Sequence, residues 1–550
     1  MNKHLAPIFG PLAALLLATL ACGRGQEQEA SPAPTEPSGP SPFRIVAASE
    51  VKLLEDAGVL ADFTRATGIP LSTEYRGSVE IKLKVEAYAG NNPGDVDAFW
   101  TASPIWMPGS LVREKTSVMR TYVVFGVDPA LAEDLGWDTR DGITIADVEQ
   151  AINAGSLQLA MPSASQDDAG ANFYLAVLTG LKGTGQPVVE EDLSDPDLLE
   201  RMKAIFSVVT RSASHAESLR TAFVEDRLSG DPQFNSFVLP ESMAIAANQE
   251  LVAGGVAPMT VFYIADAVGL QNYTLGYVAG ISEGKVDQFS TFVQYLRSPE
   301  VQARIQALGF RTGYVGMRVE NPDTGVFNSG WGINTQSEFA LTQLPKDAVI
   351  SLALNVYQLQ LRLGSYTAYC LDFSPSMEGN GKEQLLVAMR LLLDQNAASR
   401  YFLQASPQDT TTAIMFDGGI LAGYTAPGND PGTLMNLYGL IENQPFGNAT
   451  NIYGCAITAL KDVEIGAAAD QLPAVILLTD GMHNTGESYG DLEEFYRATD
   501  GSVPVFSILM GSADESELSA IAQLTNGEVC DGRGGEEDLV RCFRISKGSN

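Results

Sequence analysis

From Phe43 onward, short apolar runs alternate with stretches of helical spacing. Phe43–Ala48, Leu71–Tyr75 and Val96–Thr101 are strand-like, and helical patterns run through Leu60–Thr67 and from Val79. Strands separated by helices predict a parallel sheet covered on both faces. After Gly364 a second series begins: strand Tyr366–Phe373, a long amphipathic helix over Gly381–Leu403, strand Thr411–Phe416, helix Asn451–Val463 and strand Ala474–Thr479. Helix Asp491–Ala498, strand Val503–Met510 and helices Glu515–Leu524 and Glu536–Phe543 complete it. The pattern predicts a doubly wound sheet, in which ligands sit at the carboxyl ends of the strands. Between the two series Gly325–Pro345 has no steady period. Asp347–Arg362 does have helical spacing, which predicts a connector packed against a domain.

The amino terminus follows different rules. Lys3 precedes an apolar run, Leu5–Ala21, that Pro7 and Pro11 interrupt. It is too short and too broken for a membrane span and reads as a secretion signal. Gly23–Pro42 is rich in Gly, Pro, Ser, Glu and Gln, a composition that cannot bury enough apolar surface to fold and behaves as a tether. At 550 residues the chain is long enough for several folded units, and 45% hydrophobic against 18% charged residues supplies their cores. With 67 acidic against 34 basic residues the net charge is −33. That field opposes a phosphate backbone, so nucleic acid is excluded as a partner and anionic membrane surfaces are disfavoured. Three histidines in the whole chain argue against a histidine-built zinc site. A metal here should be a hard, oxygen-ligated one.

Candidate chemistry gathers at strand ends of the second series. One apolar strand runs into Asp372-Phe373-Ser374-Pro375-Ser376, another into Thr479-Asp480-Gly481, and Thr450 opens the helix beginning near Asn451. Three loops thereby bring two carboxylates and three hydroxyls to one end of a sheet, a set suited to Mg²⁺ or Mn²⁺. Taken singly, Asp480 and Thr450 also read as turn or cap residues. The set Asp372, Ser374, Ser376, Thr450 and Asp480 resembles the metal-ion-dependent adhesion site of the von Willebrand factor A domain, with Pro375 in place of the glycine common between the serines. The resemblance implies that the hydroxyls bind the metal directly and the aspartates through water. It also implies that an acidic residue of a partner protein completes the coordination.

Other segments carry two further resemblances. Ala47-Ala48-Ser49, Tyr75-Arg76-Gly77-Ser78, Asp97-Ala98-Phe99-Trp100, Pro162-Ser163-Ala164-Ser165 and Tyr295 to Arg311 resemble, in order and spacing, the extracytoplasmic solute-binding proteins of ABC transporters. That likeness implies two lobes with crossover strands and a small solute in the cleft, with Ser49, Ser78 and Ser165 as ligand-binding residues. Helix starts offer unpaired N–H groups to an oxyanion, although Asp167 and Asp168 would compete with one. The simpler reading of each serine is an N-cap. Thr19-Leu20-Ala21-Cys22 resembles the bacterial lipobox, with Thr19 and Leu20 departing from its usual pattern, which implies lipidation of Cys22. Without that likeness the segment is an ordinary signal peptide with an incidental cysteine. Cys370, Cys455, Cys530 and Cys542 then remain, with three connectivities open to them. Cys530 with Cys542 is the expected pair, because a strand end, a Gly-rich turn and a short helix bring them near each other. Buried unpaired cysteines are the alternative.

The resulting expectation is an α/β chain: signal peptide 1–21, tether 22–42 and solute-binding-like domain 43–318, with lobes of about 43–124 plus 256–318 and 125–255. A connector over 319–364 and an A domain over 365–546 complete it. The function expected is extracytoplasmic binding, anchored to a bacterial membrane by lipid alone, with a solute cleft and a cation-dependent protein site. The alternatives are a transport receptor whose A domain is structural and, behind it, a hydrolase. No His-Glu-x-x-His helix or complete phosphate-binding loop supports an enzyme.

Overall fold

Parallel strands buried on both faces are mostly apolar, and β-strands such as Ala98–Thr101, Leu159–Pro162 and Val505–Leu509 fit this, each buried at every position. The computed structural model describes residues 41–550 apart from 88–94, 141, 313–316, 337–338, 340, 481, 500, 512–514 and 549–550. The signal segment, most of the tether and Cys22 lie outside the described residues. The first sheet contains β1 (Phe43–Ala48), β2 (Leu71–Arg76), β3 (Ala98–Thr101), β4 (Val112–Val127), β5 (Leu159–Pro162), β6 (Val209–Ala213), β7 (Ser236–Pro240), β8 (Thr260–Phe262) and β9 (Gly269–Val278). Its order is β2-β1-β3-β9-β4-β7-β5-β6, with β8 also on β4. β1 pairs in parallel with β2 and β3, and β5 with β6 and β7. The long antiparallel strands β4 and β9 join these two halves.

The second sheet contains β10 (Gly364–Asp372), β11 (Thr410–Phe416), β12 (Ile420–Pro427), β13 (Gln471–Thr479), β14 (Val505–Leu509) and β15 (Val529–Asp531), in the order β12-β11-β10-β13-β14-β15. Every position of the central strand β10 is buried, as a parallel strand covered on both faces requires. Six helices matter below: α1 (Ser78–Ala87), α2 (Asp168–Lys182), α3 (Asp347–Val356), α4 (Asn380–Leu393), α5 (Ile452–Gly466) and α6 (Glu536–Gly548). Among the described residues no helix is long and apolar enough to cross a membrane.

Three features differ from the sequence pattern. The long helix expected over Gly381–Leu403 stops at Leu393, because the Asp394 side chain accepts from the backbone N–H groups of Asn396 and Ala397 and starts a new short helix. Strand β12 was not expected. It is the edge strand, largely exposed on both faces, so no alternation betrays it. The helix Pro431–Glu442 was also missed, although Asp430 caps it and Pro431 opens it, a combination readable in sequence.

The connector is ordered. Ile350, Ala353 and Leu354 of α3 join the core that holds Tyr174 and Phe206, and α3 continues into a π-helical turn at Tyr357–Leu361. Two disulfides lie in the second unit: Cys530 bonds Cys542, and Cys370 bonds Cys455.

Candidate functional site

Strand β10 ends at Asp372, and β13, its parallel neighbour, ends one residue before Asp480. Pairing brings both carboxylates to the same edge of the sheet. Asp372 Oδ1 accepts from the Ser374 backbone N–H at 2.7 Å, and Asp372 Oδ2 accepts from Thr479 Oγ1 at 2.5 Å. Ser376 Oγ donates to Asp480 Oδ1 at 2.8 Å and lies 3.0 Å from Ser374 Oγ. Thr450 arrives by another route: its N–H donates to Asn484 Oδ1 and its carbonyl accepts from Asn484 N–H, both at 3.0 Å. This ties the Thr450 loop to the segment that follows Asp480. The cap of α5 is Asn451, whose Oδ1 accepts from Gly454 N–H, so the Thr450 hydroxyl is not used as a cap.

Both aspartates are buried, and the desolvation of their charge raises each of them, Asp372 to about 6. The groups acting on Asp372 are the Thr479 hydroxyl, the Ser374 amide and hydroxyl and the Asp480 carboxylate, none of them a cation. Room around Asp480 depends on glycines. A Cβ on Gly511, whose φ is +49°, would lie 2.7 Å from Asp480 Cβ, and one on Gly381 would lie 3.3 Å from Asp480 Oδ2. Two buried carboxylates without a cationic partner, with the Ser374 and Ser376 hydroxyls bonded beside them, are oxygen donors of the kind a small hard divalent cation takes.

Thr479 and Asn484 were absent from the sequence-derived set. Thr479 was detectable as the one polar residue at the end of an otherwise apolar strand; nothing local marks Asn484. The disulfide Cys370–Cys455 also bears on the site, since it clamps β10 two residues before Asp372 to α5 near Thr450. His483, three residues after Asp480, is partly buried. Its ring packs 4.6 Å from that of Tyr453 and its N–H donates to Glu517 Oε2 at 3.0 Å, a packing role.

In the first sheet, Ser49, Ser78 and Ser165 follow the carboxyl ends of β1, β2 and β5, and all three are buried. Their hydroxyls are engaged within the protein. Ser49 Oγ donates to Glu50 Oε2 at 3.3 Å, Ser78 Oγ accepts from Ala102 N–H at 2.9 Å, and Ser165 Oγ lies 3.2 Å from Ser163 Oγ. Ser165 is not an N-cap; α2 is capped by Asp167, whose Oδ1 accepts from Ala169 N–H. The loops meet across the seam between the halves. Val79 N–H donates to Gln166 O at 3.2 Å, and a Cβ on Gly77 would lie 2.3 Å from that oxygen and 3.1 Å from Ser214 O. Any side chain at residue 77 would part the halves. Trp106 Nε1 donates across the seam to Asp168 Oδ1 at 2.5 Å. Burial raises Glu50, Asp167 and Asp168, the last to about 7, with the Glu50 charge adding to both aspartates. The closed seam is therefore lined by carboxyl and hydroxyl groups, an environment that opposes a bound anion.

The first sheet, with its crossing strands and its loops meeting at parallel strand ends, defines a two-lobed, periplasmic-binding-protein-like α/β fold, and a doubly wound sheet follows it. Residues 43–311, a little under half of the chain, match the family model of bacterial extracellular solute-binding proteins. Similar solved structures include the periplasmic binding protein AfuA from Actinobacillus pleuropneumoniae with fructose-6-phosphate bound (12% identity, 58% of this chain and 98% of that one, TM-score 0.40). An ABC transporter solute-binding protein from Thermotoga lettingae bound with α-D-tagatose is similar at 13% identity over 57% of this chain and 92% of that one, with a TM-score of 0.40. A von Willebrand factor type A protein from Catenulispora acidiphila matches 34% of this chain and 42% of its own length at 16% identity, with a TM-score of 0.28. No curated protein matches the chain.

Proposed function

We propose that this chain is an extracytoplasmic binding protein in which a cleft for a small solute is joined to a cation-dependent protein-binding site. One observation carries the reading: Asp372, Ser374, Ser376 and Asp480 form one hydrogen-bonded set at the edge of β10 and β13, with the Thr450 loop tied alongside through Asn484. By resemblance to the adhesion site of von Willebrand factor A domains, these residues hold Mg²⁺ or Mn²⁺, and a carboxylate of a partner protein fills the open position. The match of residues 43–311 supports the solute-binding half and the extracytoplasmic location, and Cys22 is the proposed lipid attachment. The role is binding rather than catalysis.

The test uses the full soluble chain. Mn²⁺ or Mg²⁺ should raise its melting temperature, and Asp372→Ala should remove that shift; an equal shift in the variant overturns the metal assignment. A second reading, a transport receptor whose A domain only supports the fold, is favoured by the close docking of α3 and α6 on the first sheet. A metal-dependent pull-down decides between the two, because the receptor reading expects no protein captured by Mn²⁺ and released by chelator.

A further inference from the structure

The last helix belongs to the second unit by sequence and to the cleft by contact. One face of α6 places Leu539, Cys542 and Phe543 in the core of the second sheet, and Cys542 is bonded to Cys530 of β15. Glu537 and Arg544 are seven residues apart, two turns or about 10 Å along a helix, and so share another face. That face lies across the seam of the first sheet. Glu537 Oε1 accepts from Lys84 Nζ of α1 at 2.7 Å and lies 3.4 Å from Arg76 Nη2 at the end of β2. Arg544 Nη2 donates to the carbonyl of Ser165, on the other half, at 2.8 Å, and this arginine is only 1% exposed. Its other hydrogen bond among the described residues is to the Tyr401 carbonyl, and its Nε is buried without a hydrogen-bond partner. A guanidinium this deeply buried with carbonyls as its hydrogen-bond acceptors is an expensive arrangement for packing alone.

The connector repeats the pattern. Lys82 Nζ of α1 donates to Ser351 Oγ of α3 at 3.4 Å, and Tyr174 OH of α2 donates to Ala353 O of α3 at 2.9 Å. Two helices outside the first sheet thus each contact both of its halves, at or beside the loops that must separate if a solute is to enter.

We propose that α6, with α3 beside it, is a latch that holds the two halves of the solute-binding region closed, so that solute entry and release require α6 to leave the seam. This rests on the reading that the seam is the solute cleft, and it makes access to the cleft depend on the state of the second unit.

Hydrogen exchange of the full soluble chain tests the latch without any solute. Glu537→Lys sets a positive charge against Lys84 and Arg76 at a side chain that is 55% exposed, where folding is not at stake. Exchange in segments 77–87 and 163–168, including the Val79 amide that bonds across the seam, should rise about tenfold, while β10 and β13 keep their protection. Arg544→Met should act on the same segments, and if it unfolds the second unit, Glu537→Lys alone decides. Unchanged exchange at the seam overturns the latch, and so does a rise spread equally over β10 and β13. Failure of the solute reading shows separately, as the absence of any retained small-molecule mass in native mass spectrometry of the same protein after incubation with cell extract.

Discussion

The disulfide Cys370–Cys455 should be the stronger of the two covalent ties in the second unit. It closes a loop of 85 residues, whereas Cys530–Cys542 closes one of 12. Restricting the unfolded chain by those lengths stabilises the folded state by about 4.5 and about 2.8 kcal/mol, respectively, in the chain-entropy treatment. The perturbation must isolate one pair at a time. In Cys530→Ala/Cys542→Ala, oxidised and reduced protein differ only in Cys370–Cys455; in Cys370→Ala/Cys455→Ala they differ only in the other pair. The free energy of opening of β10 and β13 amides, read by hydrogen exchange against denaturant, should fall on reduction by about 4–5 kcal/mol in the first background and about 3 in the second. Reduction of Cys370–Cys455 should also weaken Mn²⁺ binding, because the bond ties β10, which ends at Asp372, to α5, which Thr450 precedes by two residues. The reasoning fails if the short-loop bond costs as much as the long one, or if Mn²⁺ affinity is indifferent to the reduction.

Three other outcomes follow from particular contacts. Glu241 (0% exposed side chain) makes a two-point ion pair with Arg311 (1%), so Glu241→Gln, which leaves a buried guanidinium uncompensated, should cost about 3–5 kcal/mol in denaturant unfolding of the first sheet. Burial alone would raise Asp409, but the Arg362 and Lys547 charges and hydrogen bonds from Arg362 and the Ser406 amide outweigh it and hold it at about 2, below the ordinary 3.8. A depressed carboxyl contributes stability above its unfolded value and loses it as pH falls through its folded value. The wild type should therefore lose about 2 kcal/mol between pH 5 and 1 that Asp409→Asn does not lose, as followed by acid titration of β10 and β11 unfolding. Gly511→Ala forces a Cβ to 2.7 Å from Asp480 Cβ at a left-handed φ, so Mn²⁺ affinity measured by calorimetry should drop about tenfold or more; an unchanged affinity would remove Asp480 from the site.

Much of the second sheet is legible in sequence because its central strands are buried and largely apolar. Tyr366–Phe373 and Ala474–Thr479 stand out as runs that only a doubly covered parallel strand would carry, and their polar ends point to one sheet edge. Edge strand β12 is illegible for the opposite reason: exposed on both faces, it shows neither period. Ser49, Ser78 and Ser165 follow the carboxyl ends of their strands, as expected, but local sequence shows neither their internal hydrogen bonds nor the closure of the seam around Gly77.

Local pattern by itself determined the two α/β series, the connector helix and the gathering of polar residues at strand ends, because burial demands particular residue types at particular spacings. Only the tertiary structure decided that Thr479 and Asn484 support that set, that Cys455 pairs with Cys370, and that Glu537 and Arg544 reach across to Lys84 and Ser165. Those partners are separated by 85 to 453 residues in the disulfide and the Lys84–Glu537 contact. Contacts at such distances leave no periodic trace, since either partner taken alone is an ordinary surface charge, cap or apolar cysteine.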